Sequence, residues 1–487
     1  MIILSGMNSV RSQDTVSKIW EVRYDGSGGT PGNIYYYNEW AKAACLDAQA
    51  NVYVKGEQRA LGDSPMNEIY FTIDQYRILR PTSKGVTVGT RKQERITDNI
   101  YTAGITTSAG NQFIYVSKMA PGDWTKTISR TIDTYIGQYS RDLPTALAVD
   151  GAGDVYLAGE FHTYRQGSTA HGQGGVVVKL RGTDGGEIWR KTAGQTIMDM
   201  VLDDSGNLGV INEQGAIKYQ TNGTQLGQWS GYNCRKITAD AAGNFYIAQQ
   251  VIVQSVDPYT SQPYNHRDVK IRKFNASLQE VWSAQYSHPY YNDDVMQLIV
   301  DPSGAVVATG YADESPVYED QGFAVVVSPA GVQQWVQSFS GRPGDMILDG
   351  AGNVIIAADN SIRKLRRSNG ATSWELTELT GSVKCLDLDA DNYLYVTSDV
   401  PSISHTQPNQ ANTDILVTKY AQVADADGDG IPNDVDNCLD RKNADQSDVD
   451  HDGIGDVCDN CPNVANPDQA DTDGDRIANA CDNCPSI

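Results

Sequence analysis

No run of about 18 consecutive apolar residues occurs in the 487-residue chain, so no membrane-spanning helix is expected. Basic residues are in deficit: 38 Lys and Arg face 61 Asp and Glu, a formal net charge of −23. Nucleic acid is set aside as a partner, because phosphates demand a basic patch. The first ten residues hold a short apolar stretch with no basic residue ahead of it, which does not read as a convincing secretory signal. Catalytic signatures are missing as well. The six histidines (His162, His171, His266, His288, His405, His451) form no H-E-x-x-H, and there is no G-x-S-x-G, phosphate-binding loop or G-x-G-x-x-G. His162 and His171 flank a Gly-rich loop and are read as solvated. What is present, 40% hydrophobic residues, suffices for a sizeable core.

The deficits are sharpest at one end. Residues 425–487 contain no Phe, Trp, Tyr or Glu and only nine Ile, Leu or Val. Their 17 Asp against three Lys or Arg give the segment a net charge of −14, and they hold five of the eight cysteines. A chain so acidic and so poor in apolar residues cannot fold on a hydrophobic core. Something else must hold it, so a domain boundary is placed after Ala424.

Upstream, an apolar strand, a turn of the form Asp-x-x-Gly-Asn and a second apolar strand recur. The unit reads LAVDGAGDVYLAG at Leu147–Gly159, VLDDSGNLGV at Val201–Val210, TADAAGNFYIA at Thr238–Ala248, IVDPSGAVVATG at Ile299–Gly310 and ILDGAGNVIIA at Ile347–Ala357. Weaker copies occur at Cys45–Gly56 and Leu386–Val396, and a degenerate one at Asn99–Gly104. Asp accepts hydrogen bonds from its own turn and Gly or Asn takes the left-handed position, so each unit is a hairpin. Turn formation thus accounts for these aspartates without catalysis. A third strand follows each hairpin, as at Gly174–Leu180 and Asp268–Phe274. A fourth follows that, usually with a Trp: Trp189, Trp229, Trp282, Trp335, Trp374. Four strands per ~50 residues is the pattern of a propeller blade, and the Trp is read as inter-blade packing. The last copy stops after its third strand, Asp414–Tyr420, while the chain starts with what reads as a fourth, Lys18–Tyr24. Joining the two would close the ring and remove two open edges. Eight blades are counted, one of them poor; the segment Gln75–Asp98 fits its blade badly.

These repeats resemble the secreted bacterial β-propeller family whose hairpins read D-x-x-G-N-x-Y-V-x-G. The resemblance implies a fold, not an activity. SNGATSW at Ser368–Trp374 resembles, once, the docking motif of quinoprotein propellers. The expected architecture is all-β: an N-terminal segment 1–17, a propeller over 18–424, and a separate unit over 425–487.

That last unit repeats every 23 residues: DADGDGIPNDVDNC from Asp425, DVDHDGIGDVCDNC from Asp448, DTDGDRIANACDNC from Asp471. Loop positions 1, 3 and 5 are Asp425, Asp427 and Asp429, then Asp448, Asp450 and Asp452, then Asp471, Asp473 and Asp475. Position 12 is Asp436, Asp459 or Asp482, and position 9 is Asn433, Asp456 or Asn479. Alternate spacing lets side chains 1, 3 and 5 converge, and hard oxygen ligands in this number suit Ca²⁺. Ile431, Ile454 and Ile477 at position 7 are expected to offer a backbone carbonyl and turn the side chain inward. An EF-hand is set aside: position 12 is Asp, and Pro and Cys crowd the flanks where helices should be. Zinc is the competitor, because Cys458-x-x-Cys461 and Cys481-x-x-Cys484 have zinc-ribbon spacing. The intervening carboxylates favour calcium, and Cys438 would be left over.

The D-x-D-x-D-G, D-N-C-P and N-x-x-Q-x-D elements, the last at Asn443/Gln446/Asp448 and Asn466/Gln469/Asp471, closely resemble thrombospondin type 3 repeats. The resemblance implies a calcium-wrapped rod, several Ca²⁺ ions with acids such as Asp434 shared between them, and disulfides Cys438–Cys458 and Cys461–Cys481. Each disulfide would contribute roughly 3 kcal/mol for a ~20-residue loop. Arg476 replaces the position-6 Gly and Leu439 the Pro after Cys438, so the third site is expected to be weakest. Cys484 lacks a partner and the array stops mid-repeat at Ile487, which reads as a piece of a longer secreted protein. Cys45 and Cys385 fall in first strands that ring closure would make neighbours, either bridged or buried as small apolar groups; Cys234 is read as the latter.

Disulfides and weak calcium loops belong outside the cytosol. The expected function is a non-enzymatic, calcium-dependent surface or adhesion protein whose propeller meets a surface ligand or cell-envelope component. The alternatives are a secreted polysaccharide-acting propeller enzyme and a self-associating filament subunit.

Overall fold

The computed structural model describes residues 14–24, 28–30, 33–35, 37–46, 52–60, 67–73, 79–82, 100–108, 111–119, 126–132, 140–164, 171–256, 262–288, 292–313, 321–377, 379–401, 413–424, 436–438, 440–443 and 446–483. Every regular element among them is a strand, and no helix is long and apolar enough to cross a membrane.

The repeated hairpins build four-stranded antiparallel sheets with strands in sequential order. Five are local in sequence: 37–82 (blade 1), 197–230 (blade 4), 234–286 (blade 5), 292–340 (blade 6) and 343–376 (blade 7). Blade 3 (140–193) is another four-stranded unit. A single parallel pairing of Arg141 with Gln112 joins it to a three-stranded blade 2 (100–132). Within the badly fitting segment, Leu79–Thr82 pairs as the fourth strand of blade 1; its other residues lie outside the described ones.

Blade 8 is composite, as the chain ends suggested. Ser382–Leu388, Leu394–Pro401 and Thr413–Ala424 take Asp14–Tyr24 as their fourth strand. Pairing runs from Asp14 opposite Ala424 to Tyr24 opposite Ile415, so the strand starts four residues before the expected Lys18. The added sheet is pinned by Arg23, whose Nε lies 2.7 Å from the carboxylate of Asp414, itself 1% exposed. The first strands of blades 2 to 8 lie side by side in order, and that of blade 8 packs on that of blade 1.

The core is a series of layers between blades. Alternate side chains of one strand face opposite neighbours. In blade 6, Val306 and Ala308 pack with Tyr246, Val269 and Ile271 of blade 5. Ala305 and Val307 pack with Met346, Val354 and Ile356 of blade 7. Both faces are therefore apolar, which is why the strands read as near-continuous Val, Ile and Ala runs. Each fully buried Val, Leu or Ile contributes about 1.5–3 kcal/mol.

Two polar devices repeat on this frame. The Asp of each hairpin turns its Oδ1 to the turn: in blade 3, the amides of Ala152 and Asp154 donate to Asp150 at 3.1 and 2.9 Å. Gly153, Gly206, Gly243, Gly304, Gly352 and Asn392 take the positive-φ position. The other oxygen meets a cation from the third strand: Lys179 with Asp150 (3.1 Å), Lys218 with Asp203 (3.1 Å), Lys364 with Asp349 (2.9 Å) and Lys419 with Asp389 (3.1 Å). Blade 6 has Val326 where the others place Lys. There Arg367 reaches across from blade 7 to Asp301 at 2.5 Å. The second device is the Trp. Trp189, Trp282 and Trp335 donate from Nε1 to Thr221, Pro329 and Arg367 carbonyls in the next blade, at 2.9, 2.8 and 3.0 Å. Each ring lies over the turn glycine beside that carbonyl (Gly223, Gly331, Gly370), where a Cβ would come within about 3 Å of the indole. Inter-blade packing is thus the role of these Trp residues.

Candidate metal centre

The described part of the tail is held by two disulfides, Cys438–Cys458 and Cys461–Cys481, with Cα atoms 5.9 and 6.0 Å apart. These are the pairings the family resemblance implied. They consume three of the four cysteines a zinc ribbon would need, so zinc is excluded from that role. Cys484 lies outside the described residues.

Side-chain amides extend the scaffold with the period of the sequence. Gln446 Oε1 accepts from the Asn437 amide at 2.9 Å, and its Nε2 donates to Asp436 at 2.9 Å. One repeat on, Gln469 does the same for Asn460 and Asp459, at 3.0 and 2.7 Å. Asn443 donates to Asn437 (2.7 Å) and Asn466 to Asn460 (2.8 Å). Both Asn443 and Asn466 are buried. Amide side chains thus do here what aliphatic side chains do in the blades. The N-x-x-Q-x-D element carries this structural signal.

The loops wrap as the alternate spacing requires. Asp448, Asp450 and Asp452 bring carboxylate oxygens within 4.8 Å of one another, and so do Asp471, Asp473 and Asp475. Backbone amides occupy part of each cluster. Asp448 accepts from His451 (2.8 Å) and Gly453 (3.0 Å), and Asp471 from Gly474 (2.8 Å) and Arg476 (2.9 Å). Asp452 and Asp475 accept from Ile454 and Ile477, both at 2.9 Å. Position 9 closes the loop from the far side: Asp456 accepts from Val449 (2.9 Å) and Asn479 from Thr472 (3.0 Å).

One oxygen per cluster is left over. Oδ2 of Asp450 and Oδ2 of Asp473 are buried with no hydrogen-bond partner, as is Oδ2 of Asp436 at position 12 of the first loop. A carboxylate oxygen shielded from water with no donor is destabilised unless a cation meets it. The Asp450 carboxyl is held above its ordinary value by partial desolvation and by the charges of Asp452, Asp459 and Asp448. The donor set, all hard oxygen with one oxygen left unpartnered, fits a hard divalent cation. Asp459 and Asp482 sit at position 12 of their loops. Asp425, Asp427, Asp429, Ile431, Asn433 and Asp434 of the first loop lie outside the described residues.

Two expectations change. Ile477 is 45% exposed and Ile454 only half-buried, so position 7 does not turn its side chain inward. The interior is already filled by disulfide sulfurs, amides and backbone. The second change concerns strain. Positions 4 and 6 both have positive φ: His451 (64°) and Gly453 (94°) in the second loop, Gly474 (80°) and Arg476 (76°) in the third. Each loop therefore holds one non-glycine residue in the left-handed region. The third loop is not singled out by Arg476, because the second carries the same burden at His451.

In the propeller, Cys234 is a buried free thiol whose pKa burial pushes up to about 11, an inert group as expected. Cys385 is buried; the side chain of Cys45 lies outside the described residues, as do those of His162 and His171.

The comparisons agree with this division. Residues 424–446, 444–469 and 469–487 match the Thrombospondin type 3 repeat. No curated protein matches the chain. Among solved structures, BamB from Moraxella catarrhalis is 14% identical over 66% of this chain and 96% of its own, with a TM-score of 0.32. Regucalcin from Agrobacterium tumefaciens, a calcium-binding protein, is 11% identical over 56% of this chain and 89% of its own, with a TM-score of 0.28. A protein of unknown function from Bacteroides caccae is 10% identical over 52% and 87%, with a TM-score of 0.29. Superpositions this loose leave the fold to the sheets themselves. The chain is a β-propeller followed by an array of thrombospondin type 3 repeats with aspartate clusters that could hold a metal ion.

Proposed function

We propose that the protein is a secreted, calcium-dependent surface or adhesion protein in which the propeller is a non-catalytic recognition head and the type 3 repeats are a stalk stiffened by several Ca²⁺ ions. The unpartnered buried oxygens of Asp450 and Asp473, each in a cluster of three carboxylates, carry this reading. They call for a cation, and the surrounding ligands are all oxygen. Disulfides and type 3 repeats both belong to an extracellular setting. The repeated blade aspartates are engaged in turns and ion pairs, which supports a structural role for them. The head would meet a surface ligand or a cell-envelope component.

Bound-metal analysis of the oxidised protein, paired with limited proteolysis in calcium and in chelator, tests the proposal. Several Ca²⁺ per chain, and cleavage confined to the tail after chelation, are the expected results. Absence of bound calcium at millimolar concentration, or a tail equally resistant in chelator, would refute the stalk.

A further inference from the structure

Most buried carboxylates in this propeller come with cations. Asp150, Asp203, Asp301, Asp349, Asp389 and Asp414 each meet a Lys or Arg. Asp268 and Asp345 are met by neutral side-chain and backbone donors instead, whereas Asp293 has neither a cation nor a full set of donors. It stands near the start of the first strand of blade 6, at the face opposite the Asp turns, and is 0% exposed. Its Oδ2 accepts from the His288 amide at 2.8 Å, and its Oδ1 is buried with no partner. No described Lys or Arg is paired with it.

The neighbours of Asp293 worsen its position. Asp268, 1% exposed on the third strand of blade 5, acts on it as a like charge. Asp268 is itself satisfied: Gln285 donates to it at 2.6 Å, Ser287 at 3.0 Å, and His266 Nε2 lies 3.0 Å away. A second carboxylate is harder to charge beside it. From the second strand of blade 5, Gln250 reaches the Asp293 backbone carbonyl at 2.9 Å, a neutral contact. Tyr286, which ends the fourth strand, has its pKa raised by burial and by Asp293. His266 stacks on Tyr264 and is 5% exposed. The titratable groups around Asp293 are therefore Asp268, which His266 contacts, Tyr286, and His288, whose backbone amide it accepts.

We propose that Asp293 is a proton-operated latch on the seam between blades 5 and 6: its neutral carboxyl holds the seam closed, and its ionisation beside Asp268 loosens it. Burial, with Asp268 adding to it, pushes the Asp293 pKa up to about 7, in keeping with that geometry. The sign follows from linkage. An opened seam gives Asp293 an ordinary carboxylate, so opening gains on closure as pH rises from about 4 and levels off above about 7.

Amide exchange over residues 292–300 and 280–286, corrected for intrinsic rates, reads the latch. In the wild-type full-length protein, exchange should speed up by about tenfold or more between pH 5.5 and 8 and then flatten. Asp293→Asn should abolish that dependence. Asp268→Asn, which removes the like charge, should move the plateau to lower pH. The proposal is overturned by a wild-type profile with no pH dependence. It is equally overturned by a profile that survives in Asp293→Asn and is lost in His266→Gln, which would assign the proton to the His266–Asp268 pair. Circular dichroism of each variant distinguishes a seam effect from global unfolding.

Discussion

Propeller and tail both repeat an aspartate-rich turn, yet they resolve its charge in opposite ways. In the blades, the carboxylate that organises the turn is met by a lysine or arginine from within the fold, and aliphatic layers do the holding. In the tail, three carboxylates converge with no described Lys or Arg paired with them, and amide ladders and disulfides do the holding. A repeated Asp is therefore not a metal signal by itself. The presence or absence of a matched cation from the chain separates a self-sufficient turn from one that needs an ion.

The largest test of this contrast is removal of what holds the tail. Reduction together with chelation should unravel 436–483 completely, since two ~20-residue loops lose roughly 3 kcal/mol each and no apolar core remains. Blade amides should stay protected from exchange under the same treatment. Loss of propeller protection would show that the two regions are one cooperative unit.

Next in size is the blade cation. Lys218 is 2% exposed and pairs with Asp203 at 3.1 Å. Lys218→Met should cost about 3–5 kcal/mol in a denaturant titration, because Asp203 is left charged and buried. Adding Asp203→Asn should recover much of that loss, while calcium binding by the tail stays unchanged.

Acid should then separate the regions. Burial alone would raise the Asp349 carboxyl, but hydrogen bonds from Lys364 and Asn353 bring it below its ordinary value. Asp301 is likewise lowered, against its burial, by Ser303 and Arg367. Groups depressed in the folded state stabilise above their unfolded pKa of about 4 and lose that contribution as pH falls through the folded value. The tail's clusters have no such compensating cation, so a metal held there should be released as its carboxylates take up protons near their ordinary value of about 4, above the pH at which the blades weaken. Metal-release and near-ultraviolet circular dichroism curves measured side by side would show the order; coincident curves would contradict it.

The smallest expected effect is local strain. His451→Gly and Arg476→Gly each relieve one left-handed residue and should tighten calcium binding by a few-fold, about 1 kcal/mol or less. Similar gains at both sites are expected. A gain at Arg476 alone would restore the view that the third loop is the weaker.

Blade number, the composite eighth blade and the Trp role were legible in the sequence, because each leaves a local or periodic mark; the two disulfide pairings came from the resemblance to type 3 repeats. The third-strand lysines also recur in register, as in VVVKL and SIRKL, but their partner lies some 15 to 30 residues away across the sheet. Only pairing reveals the match. Arg367 was less legible still, since it serves a neighbouring blade in which Val326 has taken the Lys position. Left-handed position 4 was hidden by the attention that position 6 draws as the usual glycine. Asp293 was invisible because its distinction is a missing partner, which no motif records.

The pairing of Asp14–Tyr24 with Thr413–Ala424 has a consequence in time. Its two strands are the most distant in sequence of any in the propeller, so the loop-closure entropy of joining them is the largest the fold must overcome. A ribosome adding about 5–20 residues per second needs roughly 20–80 s to cover that interval. Until then the N-terminal strand has no sheet to join and the third strand of blade 8 does not exist. Blades 3 to 7 can pair and stack as they emerge, so assembly becomes a race between growth of a local solenoid and capture of an exposed N-terminal edge by the wrong partner. The charged side chains on that strand, Lys18, Glu21 and Arg23, are suited to keeping such an edge from aggregating while it waits.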